Sequence, residues 1–171
     1  MTFKEGQLDT DGFNIRYWEA GKGRPVVMLD QTGWRESLLH DALAETYRVF
    51  SIELPGTGDS PVNTQSNSIA DLAAAAAAAA TALTSERYTL LGTSFGAHVA
   101  LWQAIQSPDQ VEALVLISPP IFQPLSVPVN ATAQNVHGLM FAHPENAQKH
   151  AILPQEIFAK ELDLIKRLGS G

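Results

Sequence analysis

The sequence predicts an α/β fold in which a mostly parallel, doubly wound sheet follows an N-terminal β-hairpin. Three observations favour this class. Short apolar runs alternate with helical patterns between residues 25 and 117. An Asp-Gly pair, Asp11 and Gly12, separates two strand-like segments near the N-terminus. A Gly-x-Ser-x-Gly turn centred on Ser94 stands between a strand pattern and a helix pattern.

The composition is that of a well-buried globular protein. Hydrophobic residues make up 45% of the 171 positions and charged residues 17%, with a formal net charge of -7. This acidic balance disfavours nucleic acid or an anionic membrane surface as a partner. The absence of cysteine excludes disulfides and thiolate chemistry. The N-terminus lacks a signal-peptide core, and the apolar run Ile69–Leu83 is too short to span a bilayer, so we expect a cytoplasmic protein.

The first elements are expected to be two antiparallel strands, a buried strand and a helix. Phe3–Leu8 and Phe13–Glu19 form the hairpin, because apolar and polar residues alternate in the second segment. Val26–Leu29 is a continuous apolar run, typical of a strand buried on both faces. After a loop, Trp34–Tyr47 has a helical pattern. The apolar stripe of this helix is Leu38, Leu39, Ala42 and Leu43.

The middle of the chain continues the alternation. Arg48–Ile52 is the next strand, and the turn-rich loop Glu53–Pro61 follows it. Residues Val62–Ser68 are polar, so we expect them to be exposed. Ser68 is suited to cap a helix that runs through the eight alanines Ala73–Ala80. High helix propensity and close packing on the sheet explain that alanine run.

The turn that carries Ser94 has the residues that a nucleophile elbow requires. A strand pattern, Tyr88–Leu91, precedes it, and a helix pattern, Ala97–Gln106, follows and stops before a proline. Gly92 and Gly96 would let the strand and helix backbones pass close together. The serine hydroxyl would then stand at the end of the sheet. The alternative is an ordinary strand–helix turn without chemistry.

The sequence changes character after the next strand, Val111–Ser118. Four prolines between Pro119 and Pro128 interrupt the chain, and helical patterns follow without a further strand. We therefore divide the chain into a core, residues 1–120, and a helical cap or lid segment, residues 121–171. The helices expected in the second part are Gln134–Phe141, Pro144–His150 and Pro154–Leu168.

Three motifs in this order resemble those of the α/β-hydrolase superfamily, in particular its capped serine hydrolases. Leu54–Ser60 resembles the family's Leu-Pro-Gly-x-Gly-x-Ser loop, Gly92–Gly96 resembles the elbow, and Val111–Pro119 resembles the strand after it. The resemblance implies an α/β-hydrolase fold that is incomplete at its C-terminus. It also implies an esterase-like serine hydrolase, acting on a carboxylic ester or a related acyl or C–C bond, with Ser94 as nucleophile. No metal or organic cofactor is implied.

The resemblance also assigns the oxyanion donors, with one departure from the family pattern. The backbone N–H of Phe95 is the first donor, because it stands at a helix N-terminus. Gln31 or Thr32 would supply the second donor. The family's usual histidine before this loop is replaced by Asp30. We expect the Asp30 carboxylate to face water as a loop or cap residue, since an inward carboxylate would oppose the oxyanion charge.

The family's triad acid and histidine, which follow the serine, are not identifiable in these residues. We expect His40 to be a surface or interface histidine, and His98 to pack one turn beyond Ser94 while pointing away from its hydroxyl. The expected partners are therefore a small ester-like substrate and a C-terminal fragment or second chain that completes the sheet. Three further histidines are expected to be solvated cap residues without zinc spacing: His137, His143 and His150.

Two other functions stay open at this stage. A catalytically inactive binding or regulatory protein of the same fold would also lack the acid and the histidine. Acyl transfer or perhydrolysis would use the same elbow, because fold and nucleophile do not determine the acceptor. Reactivity of Ser94 towards a fluorophosphonate would discriminate an active enzyme from the inactive protein.

Overall fold

A computed structural model describes residues 1–30, 33–119 and 155–168, which form one six-stranded sheet with helices on both faces. The strands are β1 (Lys4–Thr10), β2 (Phe13–Ala20), β3 (Pro25–Leu29), β4 (Arg48–Ile52), β5 (Tyr88–Thr93) and β6 (Val111–Ile117). The helices are α1 (Leu38–Ala44), α2 (Ile69–Leu83), α3 (Phe95–Gln106) and α4 (Gln155–Leu168). The predicted class, with its N-terminal hairpin, is confirmed.

The strand order is β1-β2-β4-β3-β5-β6. The hairpin strands and β4 pair antiparallel, whereas β4, β3, β5 and β6 are parallel. The carboxyl ends of the four parallel strands therefore meet at one edge of the sheet, where α/β folds place their reactive groups. Among the described strands, β6 lies at the far end of the sheet and has one neighbour, β5.

The central strand β3 divides the core into two layers, because its side chains alternate between the faces of the sheet. Val27 and Leu29 belong to the cluster beneath α2 and α3. Val26 and Met28 belong to the cluster on the other face, beneath α1. All four side chains are buried, as the continuous apolar pattern predicts.

Helix α2 begins where the sequence predicts. The Ser68 hydroxyl accepts a hydrogen bond from the Asp71 N–H at 3.1 Å, and the Asp71 carboxylate accepts one from the Ser68 N–H at 3.0 Å. This reciprocal pair is a capping box. Most residues of the Ala73–Ala80 run are fully buried, which confirms close packing on the sheet.

Helix α1 differs from its prediction in length and in its buried face. It spans Leu38–Ala44 rather than Trp34–Tyr47. Trp34 lies outside it because its ring stacks on Trp18, with centroids 5.0 Å apart and planes 9° apart. The predicted apolar stripe is wrong, since Leu38 is 88% exposed and the helix buries His40 and Ala44 instead.

The segment Val62–Ser68 is also less exposed than its polar sequence suggests. Asn63 and Ser66 are buried. The Asn63 side-chain oxygen accepts hydrogen bonds from the N–H groups of Gln65 and Ser66, both at 3.0 Å. The Asn63 amide nitrogen donates to the Pro55 carbonyl, and the Arg167 guanidinium donates to the carbonyls of Asn63 and Ser66. The buried polar atoms are therefore satisfied within the turn and by its neighbours, which a composition argument does not reveal.

Helix α4 packs on the loop after β4. Leu164 and Leu168 join the core cluster beneath α2 and α3. The Lys160 ammonium donates to the carbonyl oxygens of Gly58 and Ser60, both at 2.6 Å. The predicted helix Pro154–Leu168 is thus observed as Gln155–Leu168, whereas the two predicted helices before it lie outside the described residues. None of the described helices combines the length and apolar character needed to cross a bilayer.

Candidate active site

Ser94 stands between β5 and α3 with a backbone conformation that is rare for a residue with a side chain. Its φ is 47° and its ψ is -115°. The Ser94 N–H donates to the Ile117 carbonyl at the end of β6 at 2.8 Å, and its own carbonyl accepts from the Ala97 N–H at 3.0 Å. The turn is thus held by a neighbouring strand and by the first turn of α3. Such strain in a fixed surrounding is typical of a functional site.

The two glycines around Ser94 permit this turn, as the sequence predicts. A Cβ atom added at Gly96 would lie 2.1 Å from the Leu29 carbonyl oxygen. One added at Gly92 would lie 2.5 Å from the Cα of Ala97. The elbow therefore sits against the end of β3 at a distance that only glycine allows. This geometry places Ser94 at the carboxyl edge of the parallel strands.

The first predicted oxyanion donor, Phe95, is the first residue of α3. An N–H in this position has no acceptor within its own helix and lies at the positive end of the helix dipole. The Phe95 side chain is buried in the core, which fixes the backbone at this point. The other predicted donors, Gln31 and Thr32, lie outside the described residues.

Asp30, at the end of β3, does not face water, so that expectation is wrong. Its carboxylate is 21% exposed and accepts hydrogen bonds from His40 Nε2 at 3.0 Å, Ser51 Oγ at 3.2 Å and Thr93 Oγ1 at 3.3 Å. Thr93 immediately precedes Ser94. The Asp30 carboxylate therefore joins β3, β4, α1 and the elbow, and these donors compensate its loss of hydration.

The expectation of a surface position for His40 is also wrong. The residue is 2% exposed and lies edge-on to the Trp34 ring, with centroids 4.9 Å apart. Its Nδ1 is 2.7 Å from Ser37 Oγ, and its Nε2 is bonded to Asp30. The sequence conceals this role, because Asp30 becomes a neighbour of His40 only when α1 packs against the sheet. The other partner, Ser37, is local, since it is the N-cap of α1.

His98 is half-buried on α3, one turn beyond Ser94. Its Nδ1 is buried and has no hydrogen-bond partner among the described residues. Burial lowers the pKa of His98, so the neutral imidazole is favoured. In the described part of the chain, no hydrogen bond joins a histidine to the Ser94 side chain.

Two buried carboxylates that the sequence does not predict lie where α4 packs on the loop after β4. Glu53 accepts hydrogen bonds from Ser60 Oγ at 2.7 Å and from the Trp34 N–H at 3.2 Å. Glu161 accepts one from the Gly58 N–H at 2.9 Å. Burial raises the pKa of Glu161, and the nearby Glu53 carboxylate acts in the same direction. The Leu-Pro-Gly loop marks this place in the sequence, but nothing in the pattern of α4 indicates an inward glutamate.

A cavity of about 230 Å³ lies next to these carboxylates. Ser94 is not among the described residues that line it. The described residues contain no group of three His, Cys, Asp or Glu side chains that could hold a metal ion. The cavity is lined by Glu5, Arg16, Trp18, Gly33, Trp34, Glu53, Gly58, Asp59 and Ile157.

Comparison with known proteins agrees with this architecture. The sequence model of the alpha/beta hydrolase fold matches residues 23–152. A 2-hydroxy-6-oxononadienedioate/2-hydroxy-6-oxononatrienedioate hydrolase of Pseudomonas putida is 35% identical over 67% of this chain and 42% of its own length. A 2-hydroxymuconate semialdehyde hydrolase of Pseudomonas sp. strain CF600 is 29% identical over 90% of this chain and 54% of its own. A pimeloyl-[acyl-carrier protein] methyl ester esterase of Aeromonas hydrophila is 35% identical over 57% and 39%.

Solved structures share the fold at low sequence identity. Cfl2 of Burkholderia cenocepacia superposes with a TM-score of 0.72 at 19% identity, covering 98% of this chain and 72% of its own. An epoxide hydrolase of Vigna radiata gives a TM-score of 0.60 at 22% identity, covering 81% and 45%. The chain thus spans about half or less of the length of the three curated relatives above. With the sheet order, the glycine-flanked elbow and the family match in agreement, the chain belongs to the alpha/beta hydrolase fold family.

Proposed function

We propose that this chain carries the nucleophile of an esterase-like serine hydrolase that acts on a carboxylic ester or a related acyl or C–C bond. The observation that carries the proposal is the conformation of Ser94, with φ 47° and ψ -115° at the junction of β5 and α3. A strained serine at this junction presents its hydroxyl beyond the sheet edge. A strand–helix turn without a function does not require a strained serine, and backbone strain of this kind is concentrated at functional sites.

The reaction uses Ser94 as nucleophile. Its Oγ attacks the carbonyl carbon, and the carbonyl oxygen becomes an oxyanion that accepts the Phe95 N–H. Gln31 or Thr32 supplies the second N–H. The leaving group departs with the proton that a general base has taken from Ser94, and water then hydrolyses the acyl-enzyme through the same base.

The relatives support the class of bond. Two of the matching relatives are the 2-hydroxy-6-oxononadienedioate/2-hydroxy-6-oxononatrienedioate hydrolase and the 2-hydroxymuconate semialdehyde hydrolase, and a third is the methyl ester esterase. We propose a small molecule of comparable acyl chemistry as substrate, in the cytoplasm. In this scheme residues 1–120 form the catalytic core, and residues 121–171, which include α4, cover the site as a cap.

The general base and its acid are proposed to come from a C-terminal fragment or a second chain that completes the sheet beyond β6. Two observations support this placement. Val115 and Ile117 of β6 are each 40% exposed on the face opposite α3, where no described helix covers them. Solved structures of this fold that cover 98% of the chain have additional residues of their own. A strand added parallel to β6 would bring its carboxyl end to the Ser94 edge.

The proposal is tested by fluorophosphonate labelling of the protein purified under native conditions, followed by intact mass spectrometry and peptide mapping. We expect an adduct on the peptide of residues 88–149, which contains Ser94, and a second component that co-purifies. The Ser94→Ala variant should lose this adduct. A native preparation that contains only the 18.5 kDa chain and gives no adduct on residues 88–149 would overturn the proposal.

A second candidate function is a hydrolase-like binding or regulatory protein without catalysis. The observation that favours it is the absence, among the described residues, of a histidine hydrogen-bonded to Ser94. Without a base the serine hydroxyl is a weak nucleophile at neutral pH. This candidate predicts that Ser94 stays unlabelled even when every co-purifying component is present, whereas the hydrolase predicts labelling.

A further inference from the structure

A second serine in the structure, outside the elbow, stands in a hydrogen-bonded chain of the kind that activates a nucleophile. Ser37 Oγ is 2.7 Å from His40 Nδ1, and His40 Nε2 is 3.0 Å from Asp30 Oδ2. The three residues lie at the end of β3 and at the start of α1. Nucleophile, base and orienting carboxylate are recognised by such geometry rather than by their order in the chain.

The chemistry of the three side chains determines which atom donates and which accepts in each hydrogen bond. A carboxylate only accepts hydrogen bonds, so the Nε2 atom of His40 carries the hydrogen that Asp30 accepts. In the neutral imidazole Nδ1 is then the acceptor, and the Ser37 hydroxyl donates to it. Asp30 is itself held by Ser51 and Thr93. The carboxylate therefore fixes both the tautomer and the orientation of the ring.

Ser37 is exposed and His40 is buried, as a reactive serine and its base require. His40 is almost completely buried and is flanked by the rings of Phe3 and Trp34, whereas Ser37 is exposed. A reagent can reach the Ser37 hydroxyl, while the base behind it is shielded and fixed. The next residue, Leu38, is an exposed large apolar side chain, and Leu39 is partly exposed. This surrounding favours an apolar acyl group over a charged one.

We propose that Ser37 is a second reactive serine, with His40 as its base and Asp30 as its positioning carboxylate, and that it accepts acyl groups from activated esters of apolar acids. In the step, Ser37 Oγ forms a bond to the acyl carbon while its proton passes to His40 Nδ1. The bond from that carbon to the leaving oxygen breaks, and the leaving oxygen takes the proton from His40. Water releases the acyl group by the reverse sequence of proton transfers.

The experiment uses the Ser94→Ala chain, so that the elbow serine does not contribute. The probes are an alkyl fluorophosphonate, from which fluoride leaves as phosphorus bonds to Oγ, and p-nitrophenyl butyrate. Trypsin separates the three serines of interest, because Ser37 falls in residues 36–48, Ser94 in residues 88–149 and Ser85 in residues 49–87. Ser85 is the matched control, since it is exposed and has no hydrogen bond to a histidine in the described part of the chain.

We expect Ser37 to be labelled about 100-fold faster than Ser85, the contribution typical of a positioned general base. His40→Gln should lower the Ser37 rate towards that of Ser85, and Asp30→Asn should lower it in part. Ser37→Ala should remove the adduct on residues 36–48 and the associated release of p-nitrophenol. Circular dichroism shows whether each variant is folded.

The proposal is overturned if Ser37 in the folded Ser94→Ala chain reacts no faster than Ser85. It is equally overturned if a folded His40→Gln variant labels Ser37 at the unchanged rate. Should His40→Gln not fold, the ratio of the Ser37 and Ser85 rates decides alone. Because the two reactive serines lie on different tryptic peptides, failure at Ser37 leaves the proposal for Ser94 unaffected, and the reverse also holds.

Discussion

At the scale of single residues, the site depends on positions where the backbone or the side chain departs from its preferred environment. Ser94 has a positive φ. Gly96 lies so close to the end of β3 that a Cβ atom at this position would clash with it. Asp30 and His40 are polar residues inside the sheet–helix interface. Each is kept there by partners from other elements, so these residues report tertiary structure rather than local preference.

The strain at Ser94 gives a prediction that separates backbone from side chain. A positive φ costs a residue with a Cβ atom about 1–2 kcal/mol, whereas glycine adopts it freely. We expect Ser94→Gly to be more stable than Ser94→Ala by about 1 kcal/mol, which corresponds to roughly 2–4 °C in the thermal midpoint of a chain of this size. Both variants lack the hydroxyl and should lose the Ser94 adduct. Equal midpoints would contradict the expected strain, because they would limit it to the roughly 0.4–1 kcal/mol by which glycine favours the unfolded chain.

The environment of a single side chain is harder to predict from the sequence than the position of a helix or strand. The serine, its glycines and the Phe95 N–H are adjacent in the chain, so a local motif identifies them. The environment of His40 is different, because Asp30 lies ten residues away and Asp30 in turn bonds Thr93, 63 residues distant. No local pattern distinguishes a histidine with such partners from a solvated one. The burial of Asn63 and Glu161 escaped prediction for the same reason.

At the scale of elements, helix α2 is specified by its own sequence. Its capping box satisfies backbone N–H groups at the N-terminus. We expect Ser68→Ala to cost about 1 kcal/mol of unfolding free energy. Chemical denaturation measures the change, and Ser85→Ala, at an exposed serine outside any helix, should stay within about 0.5 kcal/mol of the parent. A Ser68→Ala chain as stable as the Ser85→Ala chain would contradict the role of the cap.

The docking of α4 on the loop after β4 is expected to depend on pH. Burial raises the pKa of Glu161, so the folded chain favours the protonated carboxyl. The stability from this preference is present below the ordinary carboxyl pKa and is lost as the pH rises through the raised one. Glu161→Gln keeps an acceptor for the Gly58 N–H without a charge. At neutral pH we expect its thermal midpoint to exceed that of the parent, by roughly 2–4 °C per kcal/mol gained.

Two comparisons make this prediction specific. Below the carboxyl range the Gln variant and the parent should have similar midpoints, because Glu161 is then protonated in the folded and unfolded chain. Glu161→Ala removes the acceptor and leaves the Gly58 N–H buried without a partner, so it should lower the midpoint at every pH. A higher midpoint for the parent than for Glu161→Gln at neutral pH would contradict this prediction. It would show that the folded chain favours the ionised carboxylate of Glu161.

Most helices and strands could be predicted, because the period of their apolar residues and the turn and capping residues at their ends define them. Strand β4 and the start of α2 agree with the sequence residue for residue, and the other strands agree within a few residues. Helix α1 is the exception. Its pattern allowed a longer helix, but stacking of Trp34 on Trp18 and the polar contacts of His40 determine where it begins and which face it buries. Tertiary contacts outweigh propensity in a helix of this length.

At the scale of the whole molecule, the described sheet ends at β6, and that strand is covered unequally. Leu114 and Leu116 pack against the cluster beneath α3, whereas Val115 and Ile117 on the other face are exposed. Exposed apolar groups at the end of a sheet mark a surface that binds further structure. The proposed completion of the sheet would cover them and bring the base and the acid to the Ser94 edge.

The exposed face of β6 leads to a prediction for the chain itself. A dye that fluoresces on apolar protein surface, 1-anilinonaphthalene-8-sulfonate, should bind there. Val115→Asp should reduce the fluorescence severalfold, because a carboxylate within the patch interrupts the apolar surface and repels the sulfonate of the dye. The matched control is Val62→Asp, at an exposed valine in the loop after β4, which should leave the signal nearly unchanged. Equal effects of the two variants would contradict a specific apolar surface at β6.

The central claim is that the strained serine at the β5–α3 junction is a nucleophile. The most direct test is peptide mapping of the natively purified protein after fluorophosphonate treatment. We expect an adduct on Ser94 in residues 88–149, lost in Ser94→Ala and kept in Ser37→Ala. No adduct on Ser94, with every co-purifying component present, would contradict the claim and leave a hydrolase-like fold without hydrolase chemistry at its elbow.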